Sequence, residues 1–157
     1  MDLILWRHAE AEDSAADESP TQLDLNRCLT QRGEKQALRM AAWLDRQLPE
    51  GTRIWVSPAR RCEQTALALG RKYKVRAELA PCATPGQLLE LVQWPAHKYP
   101  VLVICHQPVL GQTIAQLMGL KEGECPVKKG ALWWLRNRER EGQNQTVLVA
   151  VQSPEML

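Results

Sequence analysis

No charge of one sign dominates this chain of 157 residues, in which Lys+Arg 20 stand against Asp+Glu 18 for a formal net charge of +2. That balance argues against a nucleic-acid-binding surface and leaves any preference for anions to local clusters. No CxxC pair is present. The five cysteines, Cys28, Cys62, Cys82, Cys105 and Cys125, are odd in number and scattered, so a zinc knuckle or redox centre is unsupported and free thiols are expected. None of them has an arginine six positions later to cradle a phosphate, which removes a thiol phosphatase, and Cys105 reads as a buried strand residue. No GxxxxGK[ST] loop exists, so nucleoside-triphosphate binding is unsupported. Long apolar runs are missing too. The run after Met1-Asp2 is four residues, Leu3-Ile4-Leu5-Trp6, far short of a signal peptide or of the roughly 20 residues that span a membrane, and no basic region precedes it. A soluble cytoplasmic protein without membrane contact is expected. There is no internal repeat, and the length suits one domain, residues 1–157, with one sizeable core.

What the chain does contain is organised around its first eight residues. Leu3-Ile4-Leu5-Trp6 is too short for a helix and reads as a strand buried on both faces, as in a parallel sheet, and it stops at Arg7-His8. Open α/β sheets bind ligands beyond the carboxyl ends of their strands, so a cation and an imidazole there suggest an anion site. The design recurs twice. Ile54-Trp55-Val56 stops at Ser57-Pro58 before Arg60 and Arg61, and Val101-Leu102-Val103-Ile104-Cys105 delivers His106.

Between these strands the period is helical. Thr30 is a candidate N-cap for a helix whose Ala37, Met40, Ala41, Leu44 and Leu48 share one face, closed by Pro49 and Gly51. Cys62, Ala66 and Leu69 mark a second helix ending near Gly70, with the two arginines in its first turn. Thr84-Pro85-Gly86-Gln87 has the residues of a capping box, and Leu88, Leu91 and Val92 face the core before Pro95. Pro108 opens a helix with Leu110, Ile114, Leu117 and Met118 as its stripe and Gly119 as its stop. Val75, Ala77 and Leu79 alternate like a short half-buried or edge strand. Ala131–Leu135 and Thr146–Val151 predict an antiparallel hairpin turning near Glu141-Gly142. The acidic stretch Ala9–Pro20 predicts a loop, either a solvated surface segment or a flap that selects against acidic partners. The whole reads as an α/β three-layer sandwich, a mostly parallel central sheet with helices on both faces plus a terminal antiparallel pair.

If the three strands neighbour one another, Arg7, His8, Arg61 and His106 converge on one crevice. Guanidinium forks match phosphoryl oxygens and keep their charge, so the set suits a phosphoryl group better than a carboxylate and repels a metal ion; no metal and no cofactor is called for. Two histidines can divide the labour: a neutral one attacks phosphorus and becomes phosphohistidine, while a second, with the arginines, stabilises the equatorial oxygens. The residues alone leave a plainer reading open. Strand-end histidines are often structural and first-turn arginines solvated, and for His97, between Ala96 and Lys98, the structural reading is taken.

Four stretches then speak together: Arg7-His8-Ala9, Leu29-Thr30-Gln31-Arg32-Gly33, Ser57-Pro58-Ala59-Arg60-Arg61-Cys62-Glu63-Gln64-Thr65-Ala66, and Val101 to Cys105 followed by His106-Gln107-Pro108. In this order they resemble the motifs of the histidine phosphatase superfamily, in its phosphoglycerate-mutase-like branch, and look most like the small SixA-type phosphohistidine phosphatases. The resemblance implies that His8 is the phosphorylated nucleophile and that Arg7, Arg61 and His106 hold the phosphoryl group. Arg61 rather than Arg60 aligns with the motif arginine, leaving Arg60 as a rim charge. Ser57 is expected to cap the next helix, with a minor pocket hydroxyl as its other reading. Ala9 departs from the superfamily's commoner Gly and narrows the backbone beside His8.

The resemblance also exposes a gap. Related phosphomonoesterases supply a carboxyl group to protonate an alkoxide, and here only Glu10, Glu12 and Glu78 are candidates, none on a matching motif. A protonated phosphoimidazole leaves as neutral imidazole and needs less help, which favours phosphoramidate over ester cleavage. The expected activity is therefore metal-independent dephosphorylation of phosphohistidine on a histidine-containing phosphotransfer domain in signalling, by a monomer. A phosphatase for small phosphomonoesters is the alternative enzyme, and a non-catalytic phosphoprotein-binding module the alternative of another class.

Overall fold

The computed structural model describes residues 1–13 and 20–157. Its centre is β1, Asp2–Arg7, which pairs in parallel with β4, Val101–Cys105, on one side and antiparallel with β5, Leu132–Arg140, on the other. Beyond β4 lie β2, Arg53–Val56, and the two-residue edge strand β3, Lys74–Val75. Beyond β5 lies β6, Gln143–Gln152, giving the order β3-β2-β4-β1-β5-β6. The first four of these strands run parallel and the terminal pair antiparallel, as the residue pattern predicts. The pair is joined at Glu141 and Gly142, both with positive φ, the twist that a tight two-residue hairpin requires.

Buried strands flanked by helices explain the apolar runs: alternate residues of one strand face opposite layers. Ile4, Trp6, Ile54, Val56, Leu102 and Ile104 pack on Met40, Ala41 and Leu44 of α2, Gln31–Gln47, and on Cys62 and Ala66 of α3, Arg60–Leu67. Leu3, Leu5, Val101, Val103 and Cys105 pack on Leu88 of α4, Pro85–Leu91, and on Val109, Leu110 and Ile114 of α5, Val109–Met118. The helix caps follow the sequence. Thr30 accepts the Gly33 N–H, Thr84 and Gln87 close a full capping box, and Gly119 ends α5 in the left-handed conformation.

One expectation is corrected in part. The alternation of Val75, Ala77 and Leu79 gives an edge strand only as far as Val75, in β3; Ala77–Leu79 then winds into a 3-10 turn that drops Leu79 fully into the core. The period of two reflected one buried residue reached by a turn, with Val75 left exposed. Within the expected loop Ala9–Pro20, Ala11 makes a bridge to Leu29 and Pro20 opens a short helix, α1, Pro20–Asn26. Half of that stretch, residues 14–19, lies outside the described residues.

Candidate active site

The order β2-β4-β1 sets three strand ends side by side. The ladder runs one step past each: the His8 N–H reaches Cys105 O at 3.2 Å and the Ser57 N–H reaches Ile104 O at 3.0 Å. His8 and Ser57 are thereby fixed by backbone before any side chain is considered, His106 follows β4 directly with its carbonyl accepting the Leu110 N–H at 3.0 Å, and all three are buried. Arg61 comes from the first turn of α3. It is 3% exposed and turned back over the strand ends, whereas Arg60 faces solvent. The imidazole centroids of His8 and His106 lie 5.4 Å apart, and Arg61 spans them, its Nε 3.3 Å from His8 Nε2 and its Nη2 3.1 Å from His106 Nδ1.

These contacts assign the protons. A guanidinium can only donate, so the nitrogens it faces, His8 Nε2 and His106 Nδ1, present lone pairs. The other nitrogens carry hydrogen: His8 Nδ1 donates to Ala9 O at 2.8 Å and His106 Nε2 to Ser57 Oγ at 2.7 Å. Burial, joined by Arg61 and Arg7, lowers both rings to about 3, opposed at His8 by the bond to the Ala9 carbonyl and at His106 by Asp24. Both are neutral near neutral pH, and His8 Nε2 presents an unprotonated lone pair toward Arg61. An entering anion reverses the local field and favours a proton on His106.

Ser57 departs from its expected role. The N-cap of α3 is Ala59, without a side-chain cap. The Ser57 hydroxyl accepts from the Ala59 N–H just ahead of the helix and from His106, which makes it a pocket hydroxyl. Ala9 is fully buried and works through its backbone, its carbonyl on His8 and its N–H donating to Thr65 Oγ1 at 3.1 Å. Thr65 donates in turn to Arg61 O, while Gln64 accepts the Leu29 N–H, so the Gln-Thr pair ties three motifs together. Arg7 Nη1 donates to Val127 O at 2.8 Å; among the described residues, Arg7 Nε is a buried donor with no partner, available to an oxyanion. Burial pushes the Cys62 thiol up to about 12 and raises Cys105 as well, so neither is a thiolate nucleophile.

The three candidate acids fare differently. Glu10 accepts from Thr30 Oγ1 at the start of α2, and Glu78 pairs with Arg76 beside the edge strand, its carboxyl lowered by its own backbone bond and by Arg76. Glu12 is exposed. The carboxylates that do reach the cationic cluster were not anticipated. Asp24 on α1 binds Arg61 through Oδ2 at 3.1 Å, and Arg7, lowered by burial and by Arg61, has Glu124 close enough to oppose that lowering. Only the spacing of Asp24 and Arg27, three apart on a helix face, hinted at the first.

Comparison with known proteins agrees with this geometry. The family described as the histidine phosphatase superfamily (branch 1) matches residues 3–82. The chain is 34% identical over 134 residues to the phosphohistidine phosphatase SixA of Escherichia coli (strain K12), covering 80% of this chain and 78% of that one. It is 28% identical over 134 residues to a SixA homolog of Haemophilus influenzae, covering 76% and 78% of the two chains. Among solved structures, the protein histidine phosphatase SixA complexed with tungstate superposes with a TM-score of 0.79 at 28% identity, covering 99% of each chain.

Proposed function

Because the chain belongs to the histidine phosphatase superfamily (branch 1), we propose that it is a metal-independent phosphohydrolase that removes the phosphoryl group from phosphohistidine on a signalling phosphotransfer protein, through a phosphoenzyme on His8. The observation that carries this reading is the span of Arg61 across both imidazoles, 3.3 Å to one and 3.1 Å to the other. A tetrahedral ion seated between the rings replaces those two contacts and meets the same donors.

His8 Nε2 attacks phosphorus, and the bond to the substrate's imidazole nitrogen breaks. Arg7, Arg61 and a His106 protonated in the anion's field take the charge on the equatorial oxygens. The leaving ring, protonated at its other nitrogen, departs neutral. Water then attacks phosphorus and the bond to Nε2 breaks. Because Ala9 O keeps the Nδ1 proton in place, phosphorylated His8 is cationic and leaves as neutral imidazole, with both hydrogens of water ending on phosphate. Neither step calls for a carboxylic acid. Asp24, the carboxylate hydrogen-bonded to Arg61, is held below its usual range: burial alone would raise it, but Arg61 and Arg27 outweigh burial. An alkoxide leaving group would need a proton donor instead.

The test is phosphate release from a phosphohistidine-bearing phosphotransfer protein, run beside a panel of phosphate esters. His8→Ala should abolish release while tungstate still binds within about tenfold of the parent affinity through Arg7 and Arg61. Unchanged release in His8→Ala, or turnover confined to esters, overturns the proposal.

A further inference from the structure

Arg61 offers more donors than the pocket uses, and the surplus is taken. Its Nη1 donates to the main-chain carbonyl of Asp24 at 2.5 Å and its Nη2 to Asp24 Oδ2 at 3.1 Å. A guanidinium has two forks: the end-on pair Nη1 and Nη2, and the side-on pair Nε and Nη2. Asp24 fills the end-on fork, and the side-on fork is the edge that faces His8 Nε2 and His106 Nδ1.

Resting on the function proposed above, we infer that Asp24 is a positioning residue that holds the side-on edge of Arg61 toward the phosphoryl group. Asp24 is itself braced. Its Oδ1 accepts from Arg27 Nη1 at 3.2 Å, and Arg27 Nε is anchored on Glu12 O at 2.8 Å. Its carbonyl, in the last turn of α1, accepts the Arg27 N–H at 3.4 Å and keeps a second lone pair for the guanidinium. Without the carboxylate the end-on fork keeps only the Nη1 bond to the Asp24 main-chain carbonyl, and that single bond lets the guanidinium pivot once an incoming anion displaces the His106 contact. Asp24 also opposes anion binding, since it is a carboxylate beside a pocket for an oxyanion. Positioning and charge therefore pull two measurable quantities apart.

The experiment compares the parent protein with Asp24→Ala and the isosteric Asp24→Asn, reading kcat on a phosphohistidine-bearing phosphotransfer protein, tungstate affinity and thermal midpoint. Asp24→Ala should lower kcat by about 10- to 100-fold, the usual cost of a misplaced catalytic group. Tungstate should bind as tightly as before or more tightly. Asp24→Asn, which keeps an acceptor oxygen, should recover kcat to within about threefold of the parent. Three results overturn the inference: kcat of Asp24→Ala within twofold of the parent, an Asn variant as slow as the Ala variant, or tungstate affinity falling by the same factor as kcat. An inactive parent protein would instead sink the proposed function, so the two failures are told apart.

Discussion

Ser57 fixes which nitrogen of His106 carries the proton, by accepting from Nε2 at 2.7 Å and so turning the Nδ1 lone pair toward Arg61. Removing that acceptor leaves a buried N–H unsatisfied, at a cost of about 1–3 kcal/mol. Ser57→Ala should therefore lower kcat/KM by about 5- to 100-fold and lower the thermal midpoint by about 2–12 °C, checked by steady-state assay and thermal denaturation. An unchanged kcat/KM would mean that the hydroxyl plays no part in orienting the ring. Arg7, His8, Arg61 and His106 were legible because each follows a buried strand or opens a helix within a recognisable motif. Ser57 was visible but misjudged, since a hydroxyl ahead of a helix reads the same whether it caps the helix or binds a ring. Asp24 was barely legible: its link to Arg61 joins residues 37 apart in the chain, and its spacing to Arg27 is the one local mark.

At the level of elements, the start of α2 is pressed against the chain that leaves the site. Thr30 N–H donates to Glu10 O at 3.0 Å, and a Cβ on Gly33 would lie 2.0 Å from that same oxygen. Contacts under 3 Å to backbone force the backbone to move, so the glycine of the Leu-Thr-x-x-Gly motif is there for close approach and not for a turn. Gly33→Ala should destabilise by about 1–3 kcal/mol, as overpacking typically does, lowering the thermal midpoint by about 2–12 °C. It should also reduce activity, because Glu10 is two residues from His8; a variant with parent stability would remove the close-approach argument. Strands and capped helices were readable where several signals coincided, as at Thr84-Pro85-Gly86-Gln87. The element misread in part had one signal, alternation over Val75, Ala77 and Leu79, and α1 went unread because seven residues, PTQLDLN, are too few to show a helical period.

For the molecule as a whole, the buried imidazoles tie stability to pH. Both histidines fall to about 3 in the folded chain, against roughly 6.5 when unfolded. Between those values the unfolded chain binds more protons, so stability is fully present above about pH 6.5 and declines on acidification, by up to about 1.4 kcal/mol per pH unit for each ring. Asp2 and Asp24, whose carboxyls are lowered from 3.8, contribute only in more acid solution. Denaturant midpoints should therefore drop between pH 7 and pH 5, and the slope should flatten in His106→Ala. A midpoint level across that range would show that the rings titrate normally. The sheet-and-helix layering that creates this burial was legible from the apolar runs. The strand order was not, because no local pattern says that β4 inserts between β1 and β2.

That insertion has a consequence for what can be altered safely. Adjacent strands sit roughly 4.8 Å apart whatever their side chains, and His8 and His106 continue adjacent strands, with ring centres 5.4 Å apart. The gauge of the active site is thus the hydrogen-bond ladder itself, a calliper that surface helices and turns do not hold. Lengthening the β5–β6 turn should leave the gap untouched, whereas a one-residue register slip between β1 and β4 would close the jaws on the wrong side chains.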